Sequence, residues 1–310
     1  MKRSEINQAL REMEAMIDAY RFSLPPFCRF TPEEWSAKGH EYDEIRDNML
    51  GWDITDYGLG DFSRVGFSLI TLRNGNLKKK DLYRKSYAEK LLYLKEGQYS
   101  PNHYHWSKME DIINRGGGNL LIRVYNSFPT ITPEATRISP AAADAHQTAV
   151  QSMGGDNLTQ TQREKNELLN ETVSAKECRA DTAASPKQSA APVISIDDVL
   201  RGAGADAFHD IDKISDVIVH TDGQTRRVPA GTQIRLTPGE SISIGQGMYH
   251  DFEVEPGTGA VLIGEVSECN DDNTDNRFNP PVGRFPAIDE DEAPYRLLCN
   301  EYPPAPETGS

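Results

Sequence analysis

Two histidines one residue apart, followed five residues later by a glutamate, constrain this chain more than any other feature. The stretch reads Gly97-Gln98-Tyr99-Ser100-Pro101-Asn102-His103-Tyr104-His105-Trp106-Ser107-Lys108-Met109-Glu110 and closes at Gly116-Gly117-Gly118. On an extended strand, side chains at i and i+2 share a face, so His103 and His105 can reach one point together. Glu110 is expected to arrive on an adjacent, returning strand after a tight turn. Two neutral imidazoles and one carboxylate suit a divalent transition metal. A histidine-bearing strand without a ligand is the plainer alternative, and the glycines on both sides count against it.

Those glycines carry a resemblance. Gly97, five residues, His103-x-His105, four residues, Glu110, six residues and Gly117 resemble the first motif of the cupin barrels. Gly239, five residues, Gly245-x-Gly247, two residues and His250 are similar to the second motif, with Gly245 where the pattern has proline. The resemblance implies a mainly β fold, a jelly-roll (double-stranded β-helix) barrel, with His250 as the fourth metal ligand.

The likeness extends beyond the fold. Tyr87-Ala88-Glu89-Lys90, the run from His103 to Gly118, Gly264-Glu265-Val266-Ser267 and Arg284-Phe285-Pro286 resemble the D-lyxose isomerase family, over residues 1–128 and 216–303. That resemblance implies interconversion of D-lyxose and D-xylulose. D-mannose and D-fructose are included because D-lyxose and D-mannose share their configuration at C2 and C3. It also implies Mn²⁺ and a homodimer. The donor set itself does not choose among Mn²⁺, Fe²⁺, Co²⁺, Ni²⁺ and Zn²⁺.

Such a reaction needs a group that moves a proton between C1 and C2. Glu265 is the candidate, an acid in the otherwise apolar strand Gly259–Ser267 that must face water or a site, because an unpaired buried charge is costly. Lys108 and Lys90 are candidates to steady the oxygen that gains charge. The strand around Lys90 could put it on either face, and Lys108 could be a solvated turn lysine. Arg284, Trp52, Trp106 and Phe285 are expected to bind hydroxyls and ring faces. Two rival readings share the same ligands: an Fe(II) dioxygenase, and a non-catalytic, metal-containing sugar-binding protein.

Composition narrows the classes further. The 310 residues carry a formal net charge of -15 and no basic stripe, which argues against nucleic acid. No apolar run reaches the ~20 residues of a membrane helix. The N-terminus opens into an amphipathic helix, unlike a signal peptide. Four cysteines, at 28, 178, 269 and 299, lack metal or redox spacing. The expectation is a soluble cytoplasmic protein.

Along the chain, Ile6, Leu10, Met13, Ile17 and Tyr20 keep helical spacing, with Ser4 expected as the cap. Thr31 and Pro32 mark a second, short helix, and residues 45–61 read as a loop-rich approach. This extension, residues 1–60, is expected to pack on a barrel spanning 61–303, with a flexible tail at 304–310. From Pro129 to Ala207 there is no Phe, Tyr or Trp. Such a stretch buries too little to offset its ordering entropy, so residues 130–212 are expected to be a disordered insertion. His146 and His209 are excluded from the site on that ground.

Overall fold

Strands and one long helix account for most of the regular structure in the computed structural model, which describes residues 1–129, 209–271 and 274–307. The expected insertion, 130–212, lies outside the described residues except for its last four, His209–Asp212, which form a strand.

Helix α1 spans Arg3–Ala19, and two short helices follow at Pro32–Ser36 (α2) and Asp43–Asp47 (α3). The first sheet contains β1 (Gly51–Thr55), β2 (Phe67–Arg73), β3 (Tyr87–Leu94), β5 (Glu110–Gly117), β8 (Val217–Thr221), β9 (Gln224–Val228), β11 (Ser241–Ile244) and β13 (Val261–Glu268). Its spatial order is β1-β2-β3-β13-β5-β11-β8-β9. The second contains β4 (Tyr99–His105), β6 (Leu120–Pro129), β10 (Gln233–Leu236), β12 (Tyr249–Val254) and β14 (Asn276–Phe278), in the order β10-β6-β12-β4-β14, with β7 (His209–Asp212) paired to β6. This is a cupin-type arrangement of antiparallel sheets, as the motifs imply. One part of the loop-rich approach is itself a strand: β1 pairs with β2 from Gly51↔Thr71 to Thr55↔Phe67.

Alternation decides what each strand delivers inward. On β3, Leu92 and Leu94 enter the core between the sheets, together with Ile112, Val261 and Ile263 of the same sheet and Ile122, Val124 and Phe252 of the other. Leu91 points the opposite way, joining Ile54, Ile70, Leu72 and Leu262 under the apolar stripe Ile6, Leu10, Met13 and Ile17 of α1. Period 2 on the strands and period 3.6 on the helix therefore meet at one outer face. The same parity turns Lys90, Glu110 and Glu265 inward. In register, Glu265 lies beside Lys90 on one side and Ile112 on the other.

Helix α1 begins two residues earlier than Ser4 would set it. Lys2 is the N-cap, while the Ser4 amide and hydroxyl donate to the Asp291 carboxylate at 2.9 and 2.7 Å. Arg3 is buried and pairs with Glu290 and Glu301. Asn7 donates to Glu292 and to the Ala293 carbonyl at 2.6 and 2.8 Å. The helix is thus held by the last part of the chain. Thr31 caps α2 as expected, accepting from the Glu34 amide while Glu34 returns a bond to the Thr31 amide.

Two motif glycines do different work. Gly97 has φ +90 with open space around it, whereas Gly117 has φ +97 and a Cβ there would lie 2.1 Å from the Ala260 carbonyl oxygen. Gly245 lies outside the left-handed region, so the departure from proline at that position requires no special backbone. Gly97→Ala should cost about 1 kcal/mol for the left-handed conformation alone. Gly117→Ala should cost ~3 kcal/mol or more, because backbone must move as well. Denaturant unfolding of both variants checks the order, and equal losses would contradict it.

Candidate active site

β4 and β5 are consecutive in sequence but belong to different sheets, so Glu110 meets the histidines across the core instead of along an adjacent strand. His103 and His105 lie on β4, and His250 on β12 is in register with His103. Glu110 opens β5, with the crossing made by Trp106–Met109. His103 and His250 have ring centroids 4.2 Å apart, and His105 lies 5.2 and 5.6 Å from them. Glu110 Oε2 is 3.3 Å from His105 Nε2, and Oε1 is 3.2 Å from His250 Nε2.

The cluster fits a metal ion. One ligand atom from each histidine can be chosen so that all lie within 4.8 Å of one another, and all three residues are buried. Nε2 of His105 and Nε2 of His250 are buried and face the Glu110 carboxylate without well-aligned hydrogen bonds, so imidazoles and carboxylate converge where a cation would be held. On the outer side, His103 Nδ1 is 2.8 Å from the Pro101 carbonyl and His250 Nδ1 3.1 Å from that of Met248. Carbonyls only accept, so both rings carry their proton on Nδ1 and present Nε2 inward.

Electrostatics favour the ligating forms. Burial pushes the His103 imidazolium well below its ordinary range, and the neighbouring His250 and His105 add to this. Burial and the Lys108 ammonium likewise lower His105. For Glu110 burial alone would raise the carboxyl, but Lys108 and His105 outweigh it and hold the group well below its usual range. Neutral imidazoles and an ionised carboxylate are the states a metal requires.

Beside the cluster, Lys108 Nζ lies 2.7 Å from Glu110 Oε2, 2.9 Å from Glu265 Oε1 and 3.2 Å from Asn270 Oδ1. Lys90 Nζ is 3.4 Å from the same Glu265 oxygen. All four charged residues are buried. With Arg284, they line one cavity between the sheets, whose other wall is aromatic: Tyr57, Phe67, Phe252 and Phe278. Arg284 Nη2 reaches Asp53 Oδ2 at 2.6 Å.

The three aromatic candidates lie elsewhere. Trp52 is 2 % exposed and packs on the α1 side, its ring N–H donating to the Cys28 carbonyl at 2.7 Å. Trp106 is 39 % exposed and meets Tyr104 edge-on. Phe285 is also 39 % exposed, with the Arg284 guanidinium over its ring. Alternation explains the first displacement, because Trp52 shares the α1-facing parity of Ile54 while Thr55 lines the cavity. Its neighbour Asp53, which the sequence reading missed, anchors Arg284. An acid inside a strand was the available signal, the same one that singled out Glu265. Tyr57, whose hydroxyl is 2.8 Å from Ser100 Oγ, carried no comparable signal.

A buried cluster of three histidines with one glutamate beside it, lying between antiparallel sheets and able to hold a metal ion, defines a cupin-type class of protein. Comparison with known proteins narrows the class. The sequence profile of the D-lyxose isomerase family matches residues 1–165 and 199–302. D-lyxose/D-mannose isomerases of Escherichia coli O157:H7 and Serratia proteamaculans are each 35% identical over 303 residues, which cover 97% of this chain and 98% of the relative. The chain belongs to the D-lyxose isomerase family. The part of residues 1–302 that the profile omits is 166–198, shorter than the segment that sequence reading could not place. Among solved structures, Cellulomonas parahominis L-ribose isomerase with L-ribose matches 93% of this chain and 98% of its own, at 14% identity and a TM-score of 0.44.

The donor set predicts a thermal response. Chelator-stripped protein should melt below its ordinary temperature, and one equivalent of Mn²⁺ or Zn²⁺ per chain should restore it by mass action. His103→Ala and His250→Ala should each abolish the recovery. A recovery that survives both substitutions would place the ion elsewhere.

Proposed function

We propose that this chain is a metal-dependent D-lyxose ketol-isomerase, interconverting D-lyxose and D-xylulose and accepting D-mannose and D-fructose. The observation that carries the reading is the arrangement of Lys108, which bridges Glu110 and Glu265 within 2.9 Å, beside the three histidines. A proton-transfer carboxylate and a cationic donor thus stand next to a fitted metal site, in a cavity that also offers hydroxyl-binding groups. Family membership and the names of the two relatives support the substrate class.

His103, His105, His250 and Glu110 would hold the ion. A divalent cation there supplies Lewis acidity toward the carbonyl and adjacent hydroxyl oxygens of a sugar, and Mn²⁺ is the ion we expect. Glu265 takes the proton from C2 of the open-chain aldose and returns it to C1, so the C2–H bond breaks and a C1–H bond forms. Lys108 donates to O1 as that oxygen gains charge and recovers a proton from O2 as the ketose carbonyl forms. Lys90, on the other side of Glu265, holds that carboxylate against the sugar. Arg284, fixed by Asp53, binds a hydroxyl farther along the chain, and the aromatic wall excludes water from the reacting end. The active unit is expected to be a homodimer, which sedimentation of the metal-loaded protein tests.

Turnover of D-lyxose, scored as ketose formed, is the decisive assay on stripped protein with and without Mn²⁺. Metal-dependent activity should vanish in His103→Ala and fall about a hundred- to ten-thousandfold in Glu265→Gln. Trp106→Ala and Phe285→Ala should stay near the unaltered protein, since neither residue lines the cavity. A folded, metal-loaded chain that turns over no aldose would refute the reading.

A further inference from the structure

Of the three histidines, His105 alone has no carbonyl at its outer nitrogen. His103 and His250 are fixed through Nδ1 by the carbonyls of Pro101 and Met248. His105 Nδ1 is buried without a hydrogen-bond partner, and the charged group facing it is the Asp275 carboxylate, with Oδ2 at 3.7 Å. That distance is too long for a hydrogen bond and short enough for a strong charge interaction in a buried setting.

Asp275 is itself buried, 6 % exposed, just before β14. It is tied to the crossing that separates His105 from Glu110. Oδ1 accepts from the Ser107 amide at 2.8 Å and the Ser107 hydroxyl at 2.6 Å, and Oδ2 accepts from the Lys108 amide at 3.2 Å. The Asp275 carbonyl accepts from the Trp106 amide at 3.0 Å. One residue therefore grips the backbone of 106, 107 and 108, and its charge stands beside the ring of 105.

We propose that Asp275 is a positioning residue of the metal centre. Its carboxylate holds the His105 proton on Nδ1, so that the Nε2 lone pair faces Glu110 and the other rings, and its grip on Trp106–Lys108 sets where Lys108 stands. The inference rests on the reading of His105 as a ligand and extends it to a residue that touches neither ion nor sugar. A negative charge behind an imidazole makes the ring a stronger donor, and loss of such a partner typically weakens metal affinity about 10–100-fold. Ser107 shares the grip but does not approach the ring, which allows the two effects to be separated.

The test is competition for Zn²⁺ against a fluorescent chelator, using the full chain and its Asp275→Asn, Ser107→Ala and His105→Ala variants, with melting of each stripped form alongside. Asp275→Asn should weaken Zn²⁺ binding about 10–100-fold, while Ser107→Ala binds almost as the unaltered chain does. Unchanged affinity in Asp275→Asn, or equal weakening in Ser107→Ala, would overturn the proposal and leave Asp275 as a loop anchor only. His105→Ala separates the two levels. If it too leaves affinity unchanged, His105 is not a ligand and the underlying reading fails. Should Asp275→Asn not fold, ¹⁵N NMR of the unaltered Zn²⁺-loaded chain decides. A proton on Nδ1 of His105 supports the proposal, and a proton on Nε2 refutes it.

Discussion

The ammonium of Lys108 between the carboxylates of Glu110 and Glu265 is the interaction on which the centre depends. Two carboxylates that share a buried cavity repel in a medium of low dielectric, and a cation placed between them offsets that repulsion. Lys108 and Lys90 supply two positive charges against those two negative ones, so the cavity balances on its own residues. The imidazoles of His103 and His105, held neutral chiefly by burial, add no charge to this balance. Breaking a buried pair of this kind by removing one partner typically costs about 3–5 kcal/mol. The same contacts that would serve proton transfer are therefore part of what fixes the crossing between β4 and β5 against β13 and β3.

That balance is delivered by strand parity. Lys90 shares a face with Leu92 and Leu94, and Glu265 shares one with Val261 and Ile263. In each strand the apolar residues that fill the core also aim the charged residue at the centre. A one-residue slip of β3 against β13 would turn Leu92 and Lys90 toward α1 and Leu91 into the core between the sheets. Apolar packing thus protects the position of the charged groups, and the sheet register carries the geometry of the site.

Much of the metal cluster was legible in the chain because local spacing encodes it. His103, His105 and Glu110 lie within eight residues, and His250 stands at a fixed distance from a glycine turn. The inward direction of Lys90 and Glu265 was not decidable from either strand alone, since a single lysine or glutamate fits both faces. It became so once Leu92 and Ile263 were seen in the shared core. Trp52 went the other way for the same reason, because an aromatic residue packs equally well on either face of a sheet, whereas Trp106 and Phe285 stand outside the strands, where no alternation applies. For Asp53, marked only as an acid inside a strand, and for Asp275, the partner was what could not be read. Each acts on a partner more than 150 residues away, and no local pattern marks such a contact.

The clasp between the two ends of the chain also bears on how the protein comes to be made. Helix α1 is synthesised first, yet its apolar stripe packs against β2, β3 and Leu262 of β13, and Arg3 pairs with Glu290 and Glu301. Glu290 follows Arg3 by 287 residues, so at 5–20 residues per second of synthesis that pair cannot form for about 15–60 s. During that interval α1 can meet the residues of β1, β2 and β3, while its contact with Leu262 and its ion pairs with Glu290 and Glu301 are still to come. Closing the clasp is thus a late step of folding, possible only once Glu290 and Glu301 are available to Arg3.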